Sequence, residues 1–248
     1  MYTKEQLKKQ LATIGVNPKG VLKVHLSYKA IGELENGGDT VLEALMEYMK
    51  EGLLVLPTHT WRNINDMNPV FDVLYTPSCV GYLTESFRQK KGVVRSLHPT
   101  HSVSAIGKGA EELVKGDELL TSPCGKGGAY HKLYEANAQV LLIGVNFMRN
   151  TIVHGFEEWN GVPNILNEKA VELITIPKQG ERIKIDMHRH ISRLGSRTFA
   201  KLEPRAIMEG VLTLGRFGDA DTRLMNAKPL FDLVSDELQK DLNYLQRY

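Results

Sequence analysis

The sequence predicts a single α/β domain over residues 1–248, in which helices flank a central mixed sheet to give an α/β/α arrangement. Residues 140–145 form the continuous apolar run VLLIGV, which is typical of a strand buried on both faces, since a one-sided strand would alternate. Strand-like segments are repeatedly followed by segments with helical spacing. The chain has no internal repeat or linker that would divide it. We expect a decorated C-terminal third that adds further elements to this core.

Composition limits the classes of function. The chain has 248 residues, of which 42% are hydrophobic and 24% charged, as in ordinary globular proteins. Its formal net charge of +2 comes from 31 basic and 29 acidic residues spread along the chain, so neither nucleic acid nor a membrane surface is an expected partner. No apolar run approaches the roughly 20 residues that span a bilayer. The polar start MYTKEQLKKQL lacks a signal core, and we expect a cytoplasmic protein. Cys79 and Cys124 are too few for a disulfide framework or a thiolate metal site.

Helices and strands alternate through the first half of the chain. Thr3 and Gln6 stand at the positions of a capping box, for a helix that ends near Ile14. Asp39 or Thr40 is expected to cap a second helix. Thr76 and Pro77 are expected to precede a third. The other predicted segments are strands at 21–25 and 53–56, a loop at 26–38, an excursion without regular structure at 63–75, a helix at 80–89, a strand after His101, a glycine-rich turn at 119–128, and short helices at 110–114 and 131–137.

The second half begins with two strands, at 170–176 and 182–187, joined by a turn around Gln179 and Gly180. Residues 199–208 are expected to be partly helical despite Pro204. Residues 213–225 are interpreted as a strand and turn. Residues 232–248 carry leucines at the spacing of a closing amphipathic helix.

The stretch from 140 to 159 is the chemical centre of the chain. His154 and Glu157 follow the buried strand, three residues apart, so a helix would place both side chains on one face. An imidazole and a carboxylate delivered by a buried strand suit an active site. The alternative is a hydrogen-bonded core histidine beside a solvated glutamate. Taken alone, the pair favours that alternative, because a histidine near a glutamate is common.

Three further polar clusters lie beside predicted strands, at 27–38, 58–61 and 95–102. Polar groups at strand ends converge on one cleft in open α/β sheets. The glycine-rich first cluster contains neither GxGxxG nor GxxxxGK[ST], so it is not a nucleotide fingerprint.

A metal site is a weaker interpretation. His98, His101, His154 and Glu157 are residue types that bind zinc, but HExxH is absent and Pro99 disfavours a helical presentation of its neighbours. We therefore expect no metal. The histidines of MHRH, at 188 and 190, alternate along a predicted strand and are interpreted as surface residues.

Seven motifs, in order, resemble the aminoglycoside 3-N-acetyltransferase family of antibiotic N-acetyltransferases, which is unrelated to the common GNAT fold. The resemblance runs from about residue 21 to residue 232. Its motifs are VHLSYKAIG with GGDTVLEAL, LLVLPTHTW, RSLHPTHSVSAIG, SPCGKGGAYHKLYEANAQVLLIGV, NTIVHGFEE and GRFGDADTRLM.

The resemblance implies transfer of acetyl from acetyl-CoA to the 3-amino group of a 2-deoxystreptamine aminoglycoside. The family's TxxHxxE-type motif falls on Thr151, His154 and Glu157. His154 is then the general base for direct attack by the amine, and Glu157 its orienting or substrate-binding partner. No acyl-enzyme is required, so Cys124 is expected to be a bystander.

The resemblance also implies binding residues. Backbone amides and cations would meet the phosphates of acetyl-CoA, and apolar groups its pantetheine. A carboxylate-lined entrance would suit a polycationic sugar. The expected acetyl-CoA contacts are Ser27, Tyr28, Lys29, Ile31, Gly32, Arg95, Ser96 and Ser102. The expected substrate contacts are Thr60, Asp66, Asp72, Thr151, Glu157 and Glu158. The donor to the tetrahedral oxyanion stays open between Ser102, Thr60 and backbone amides.

Other functions remain possible from sequence. The same chemistry could act on another amino sugar or small amine. A metal-dependent hydrolase would use His98, His101 and His154, and a non-catalytic module would bind CoA or a sugar without transfer. Neither the oligomeric state nor the preferred acceptor is predicted.

Overall fold

The computed structural model describes residues 1–191 and 194–247, which form helices and strands that alternate along most of the chain. The α-helices are α1 (Lys4–Ile14), α2 (Gly38–Tyr48), α3 (Tyr82–Arg88), α4 (Ala110–Val114), α5 (Ala129–Glu135), α6 (Ile152–Trp159), α7 (Leu202–Met208) and α8 (Ala227–Lys240). The strands are β1 (Val21–Leu26), β2 (Leu53–Pro57), β3 (Val70–Asp72), β4 (Val94–Arg95), β5 (Val103–Gly107), β6 (Gln139–Ile143), β7 (Val171–Ile176), β8 (Ile183–Met187), β9 (Leu212–Phe217) and β10 (Ala220–Asn226). Short 3-10 helices cover Tyr28–Ala30, Asp117–Leu119, Phe147–Arg149, Gly195–Lys201 and Tyr244–Gln246.

A seven-stranded mixed sheet forms the centre, in the order β4-β5-β2-β1-β6-β10-β9. Strand β1 pairs in parallel with β2 and β6, whereas β5 and β10 extend this parallel centre with antiparallel pairing. The carboxyl ends of β2, β1 and β6 therefore meet at one edge, where α/β sheets bind ligands. A smaller sheet, β3-β7-β8, is separate from the central one.

Alternating side chains of the central strands fill two cores on opposite faces. Val140 and Leu142 of β6 pack with α5, α6 and α8, whereas Leu141 and Ile143 pack with α1, α2 and α3. Both sets are fully buried, which explains the continuous apolar run. The predicted α/β class with helices on both faces of a mixed sheet is confirmed.

Several predicted helix starts are wrong. The capping box of α1 forms as predicted: the Gln6 backbone N–H donates to the Thr3 hydroxyl, and the Thr3 N–H to the Gln6 side chain. Helix α2 is capped by Gly37 instead of Asp39 or Thr40. The Thr40 hydroxyl instead accepts from the Asn36 N–H at 2.8 Å.

Helix α3 likewise begins at Tyr82 after Gly81, two residues later than predicted. Thr76 caps no helix, because its hydroxyl accepts a hydrogen bond from the Asp72 N–H at 2.8 Å. That contact lies at the end of β3, a strand inside the segment for which no regular structure was predicted.

In the C-terminal third, β7 and β8 and the β9–β10 hairpin agree with the predicted strands and turns. Helix α8 begins at Ala227, five residues before the predicted start, and ends at Lys240. Pro229 lies in its first turn, where a missing N–H costs no intrahelical hydrogen bond; Pro204 has the same place in α7.

Candidate active site

A cavity of about 770 Å³ opens at the carboxyl ends of β1 and β2 and reaches helix α6. Its wall includes Ser27, Tyr28 and Lys29 after β1, His59 after β2, and Thr151 and His154 at the start of α6. The parallel centre of the sheet thus brings together side chains from distant parts of the sequence, as expected for strand ends at one edge.

His154 and Glu157 form a hydrogen-bonded pair on α6. The Nδ1 atom of His154 lies 3.0 Å from Oε2 of Glu157, and only 2% of the Glu157 side chain is exposed. The other carboxylate oxygen accepts from the Gln246 amide at 2.7 Å. Because a carboxylate only accepts hydrogen bonds, Nδ1 carries a proton, and in the neutral form of the ring the lone pair is then on Nε2. This is the tautomer that a base in the cavity wall requires.

The His154 ring also contacts two other rings. His190 stacks on it with centroids 4.4 Å apart, and Phe199 meets it edge-on at 4.7 Å. The prediction that His188 and His190 lie on one strand is wrong for both, and the predicted surface position is wrong for His190. Strand β8 ends at Met187, and the chain then folds His190 into the cavity wall.

More buried histidines surround the site than the sequence indicated. Burial lowers the pKa of His25, His59 and His101 well below the usual histidine value, so these rings are neutral at neutral pH. All three line the cavity. Sequence reasoning singled out His59 only as a member of the 58–61 cluster.

The sequence did not identify Tyr130 as a residue of the site. Its hydroxyl lies 2.6 Å from Nε2 of His59 and 3.5 Å from Nζ of the buried Lys23. Burial raises the pKa of Tyr130 well above its usual value and lowers the pKa of Lys23 to about 7. The sequence signal was Lys23 within the strand VLKVHL, whose other polar residue is His25.

The predicted acetyl-CoA contacts divide into two groups. Ser27, Tyr28 and Lys29 line the cavity. Ile31 and Gly32 do not: Ile31 is fully buried in the core, and its carbonyl accepts from the Asp219 N–H at 2.9 Å. Gly32 has φ +91°, and a Cβ there would lie 2.1 Å from the Asp219 carboxylate. Both residues therefore contact Asp219 within the protein.

Arg95, Ser96 and Ser102 lie outside the cavity lining, contrary to their predicted contact with the cofactor. Arg95 donates to the backbone carbonyls of Val73, Thr76 and Thr58 at 2.6–3.1 Å and to the Ser102 hydroxyl at 3.2 Å. Ser96 and Ser102 are fully buried. Arg95 thereby joins the segment that follows β3 to the central sheet.

Among the predicted substrate contacts, only Thr151 lines the cavity. The Thr60 hydroxyl donates to the Pro99 carbonyl, and Asp66 is exposed outside the cavity. Asp72 accepts from two backbone N–H groups of its own turn. Glu157 and Glu158 are committed to protein donors; Glu158 accepts from Ser122, Cys124 and His190.

The described lining of the cavity is basic. Four cationic side chains line it: Lys29, Arg62, Arg149 and Arg189. Among the described residues, no carboxylate is part of the lining. The carboxylate-lined entrance expected for a polycation is not part of this lining and stays a prediction.

The described residues offer no group of side chains arranged for metal binding and no activated thiol. Within residues 1–191 and 194–247, no three His, Cys, Asp or Glu side chains are grouped as metal ligands. Cys124 is fully buried, and this burial raises the pKa of its thiol well above the usual range. It is a poor nucleophile in this state.

Comparison with known proteins gives the family. The family model for aminoglycoside 3-N-acetyltransferases matches residues 24–239, which is most of the chain. The chain belongs to the aminoglycoside 3-N-acetyltransferase family. The resemblance predicted from the seven motifs is confirmed, and the chain is thereby placed among acyltransferases.

Relatives within this family include aminoglycoside N(3)-acetyltransferase IV from Salmonella sp, which is 31% identical over 188 residues, covering 75% of this chain and 68% of the relative. The crystal structure of aminoglycoside acetyltransferase AAC(3)-IVa, a histidine-to-alanine mutant in complex with a gentamicin, is similar with a TM-score of 0.86 at 27% identity, covering 98% of this chain and 91% of that one. AAC-IIIb in its binary complex with CoASH shares the fold, with a TM-score of 0.84 at 22% identity over 96% of this chain and 97% of that one.

The residues matched by the aminoglycoside 3-N-acetyltransferase family contain the His154–Glu157 pair and every cavity residue named above. Within the part of the chain that the structure describes, no helix has the length and apolar character needed to span a bilayer.

Proposed function

We propose that this chain transfers acetyl from acetyl-CoA to the 3-amino group of a 2-deoxystreptamine aminoglycoside, with His154 as general base. The observation that carries the proposal is the His154–Glu157 pair, 3.0 Å apart, in the wall of a basic cavity. Membership of the aminoglycoside 3-N-acetyltransferase family supplies the reaction class.

In this reaction His154 first accepts a proton and then returns it. The amine nitrogen attacks the thioester carbonyl carbon, and Nε2 of His154 takes the proton that the nitrogen loses. When the carbon–sulfur bond of the tetrahedral intermediate breaks, the departing thiolate accepts that proton from the imidazolium. The products are the acetamide and the CoA thiol, and His154 is neutral again. Glu157 stabilises the transient imidazolium and holds the Nδ1–H tautomer.

The cavity matches the donor molecule. Acetyl-CoA carries phosphates at one end and a long, weakly polar pantetheine at the other. Lys29 and the three arginines of the lining would meet the phosphates as charge-assisted donors. Ser27 and Tyr28 line the same cavity as His154. The shared fold with AAC-IIIb, whose structure contains CoASH, supports this assignment.

Backbone amides are the favoured oxyanion donors. The two side chains considered from sequence are committed elsewhere, because the Ser102 hydroxyl donates to the Thr58 carbonyl at 2.7 Å and the Thr60 hydroxyl to that of Pro99. Neither is part of the cavity lining.

A second candidate acceptor is another amino sugar or a small amine. The four lining cations and the lack of carboxylates among the described lining residues favour an acceptor with fewer positive charges than an aminoglycoside. The relative AAC(3)-IVa has been crystallised with a gentamicin and with apramycin, which favours the first candidate.

Thiol release from acetyl-CoA tests the proposal and separates the two acceptors. Purified protein is given acetyl-CoA with gentamicin, apramycin, glucosamine, glucosamine 6-phosphate or no amine, and a thiol-reactive dye follows free CoA. Release that depends on an aminoglycoside, with an acetylated product of matching mass, is the expected result. Release only with the amino sugars would select the second candidate. If acetyl-CoA binds but no amine causes release, the proposed reaction is wrong.

A further inference from the structure

A second histidine–carboxylate pair lies against the first. The Nε2 atom of His190 is 2.8 Å from Oε1 of Glu158, just as His154 is bonded to Glu157. The two imidazole rings are nearly parallel, with centroids 4.4 Å apart and an interplanar angle of 29°. Two consecutive glutamates of one helix thus hold two stacked histidines.

The Glu158 end of this second pair is firmly anchored. Its carboxylate accepts from the Ser122 hydroxyl at 2.6 Å and from the Cys124 backbone N–H at 3.0 Å, and 6% of its side chain is exposed. Charge-assisted bonds of this kind hold a carboxylate in one orientation. Because the Glu158 carboxylate only accepts hydrogen bonds, the ring proton of neutral His190 lies on Nε2.

The His154 ring gains orientation from such support. Its hydrogen bond from Nδ1 to Glu157 fixes the tautomer, but one such bond leaves the ring free to tilt about the bond axis. The His190 face and the Phe199 edge limit this tilt. A catalytic base must be held within about 10–20° of its productive orientation.

We infer that His190, held by Glu158, is a positioning residue that fixes the ring plane of His154 for proton transfer. The inference rests on the proposed function in one respect, since it assigns His154 the role of base. His190 itself stays neutral at neutral pH. The titratable groups around it are His154, His101 and the two glutamates of α6. Burial is the largest influence on the pKa of His190 and lowers it.

The test compares two substitutions in the same segment. His190→Gln keeps a donor for Glu158 but removes the ring face. His188→Gln is the matched control, because His188 bonds the Asn167 carbonyl at 2.7 Å and does not line the cavity. With the best acceptor, kcat of H190Q should fall about 10- to 100-fold while KM for acetyl-CoA stays within about twofold of the control. Glu158→Gln should give a similar split, and the double variant should be no slower than H190Q.

A spectroscopic readout keeps the inference independent of the acceptor. In protein with 15N-labelled histidine, His154 should show a protonated Nδ1 and an unprotonated Nε2. In H190Q these signals should shift or broaden, whereas in H188Q they should not. Unchanged His154 signals, or H190Q turnover equal to that of H188Q, would overturn the inference. If the signals change but no amine is ever acetylated, the proposed function fails and the positioning contact stands.

Discussion

The hydroxyl group of Tyr130 lies 2.6 Å from Nε2 of His59; both side chains are buried, and the His59 ring lines the same cavity as His154. Burial raises the pKa of Tyr130 and lowers the pKa of His59, so both groups are neutral at neutral pH and share a hydrogen bond. The His59 ring in the cavity wall is therefore held by a hydrogen bond between neutral groups.

Replacing Tyr130 with Phe should destabilise the protein. Nε2 of His59 would lose its partner inside the protein, at a cost of about 1–3 kcal/mol in the free energy of unfolding. Urea unfolding measures the change. Tyr75→Phe is the control, because Tyr75 is 80% exposed and its substitution should have little effect. Equal stability of the two variants would show that the Tyr130–His59 hydrogen bond does not stabilise the protein.

The free energy of unfolding should fall as the pH falls below about 6.5, the usual histidine pKa. His25, His59 and His101 have folded-state pKa values well below that value because they are buried. Between the folded and unfolded pKa values the unfolded chain binds more protons, so stability is full above the window and is lost below it. Each such histidine contributes about 1.4 kcal/mol per pH unit.

Urea unfolding at pH 7.5, 6.5 and 5.5 measures this slope. His101→Gln should give a shallower slope than the unchanged protein. A stability that does not vary over this range would show that these histidines titrate normally in the folded state.

Arg95 should be structural. Arg95→Ala removes the guanidinium donor of the Val73 and Thr76 carbonyls, while the Thr58 carbonyl keeps the Ser102 hydroxyl, and we expect a loss of about 2–4 kcal/mol in the free energy of unfolding. KM for acetyl-CoA should change less than about twofold in the folded fraction. Lys29→Ala should do the reverse, with near-normal stability and a raised KM, because Lys29 lines the cavity. A raised KM in R95A at normal stability would restore the cofactor contact predicted from sequence.

The central sheet and the His154–Glu157 pair could be predicted because both depend on local sequence patterns. The continuous apolar run of β6 reports burial on both faces, and the three-residue spacing of His154 and Glu157 becomes a contact as soon as that segment is helical. The Thr3–Gln6 capping box is equally local and formed as predicted.

The roles of other residues depend on tertiary contacts that no local pattern contains. His190 looked like a strand residue because the alternation of MHRH continues past the end of β8. Arg95 looked like a phosphate ligand, but the β3 segment folds its carbonyls onto the guanidinium. Glu158 looked free for a substrate because Ser122 and Cys124 are more than thirty positions away in the sequence.

The most direct test of His154 as the general base is the turnover of His154→Ala with the best acceptor, beside acetyl-CoA binding by calorimetry. We expect kcat to fall about 10²- to 10⁴-fold, because positioned proton transfer contributes that much, with the affinity for acetyl-CoA nearly unchanged. Turnover close to that of the unchanged protein, at normal acetyl-CoA binding, would contradict the central assignment and return the proton transfer to another group in the cavity.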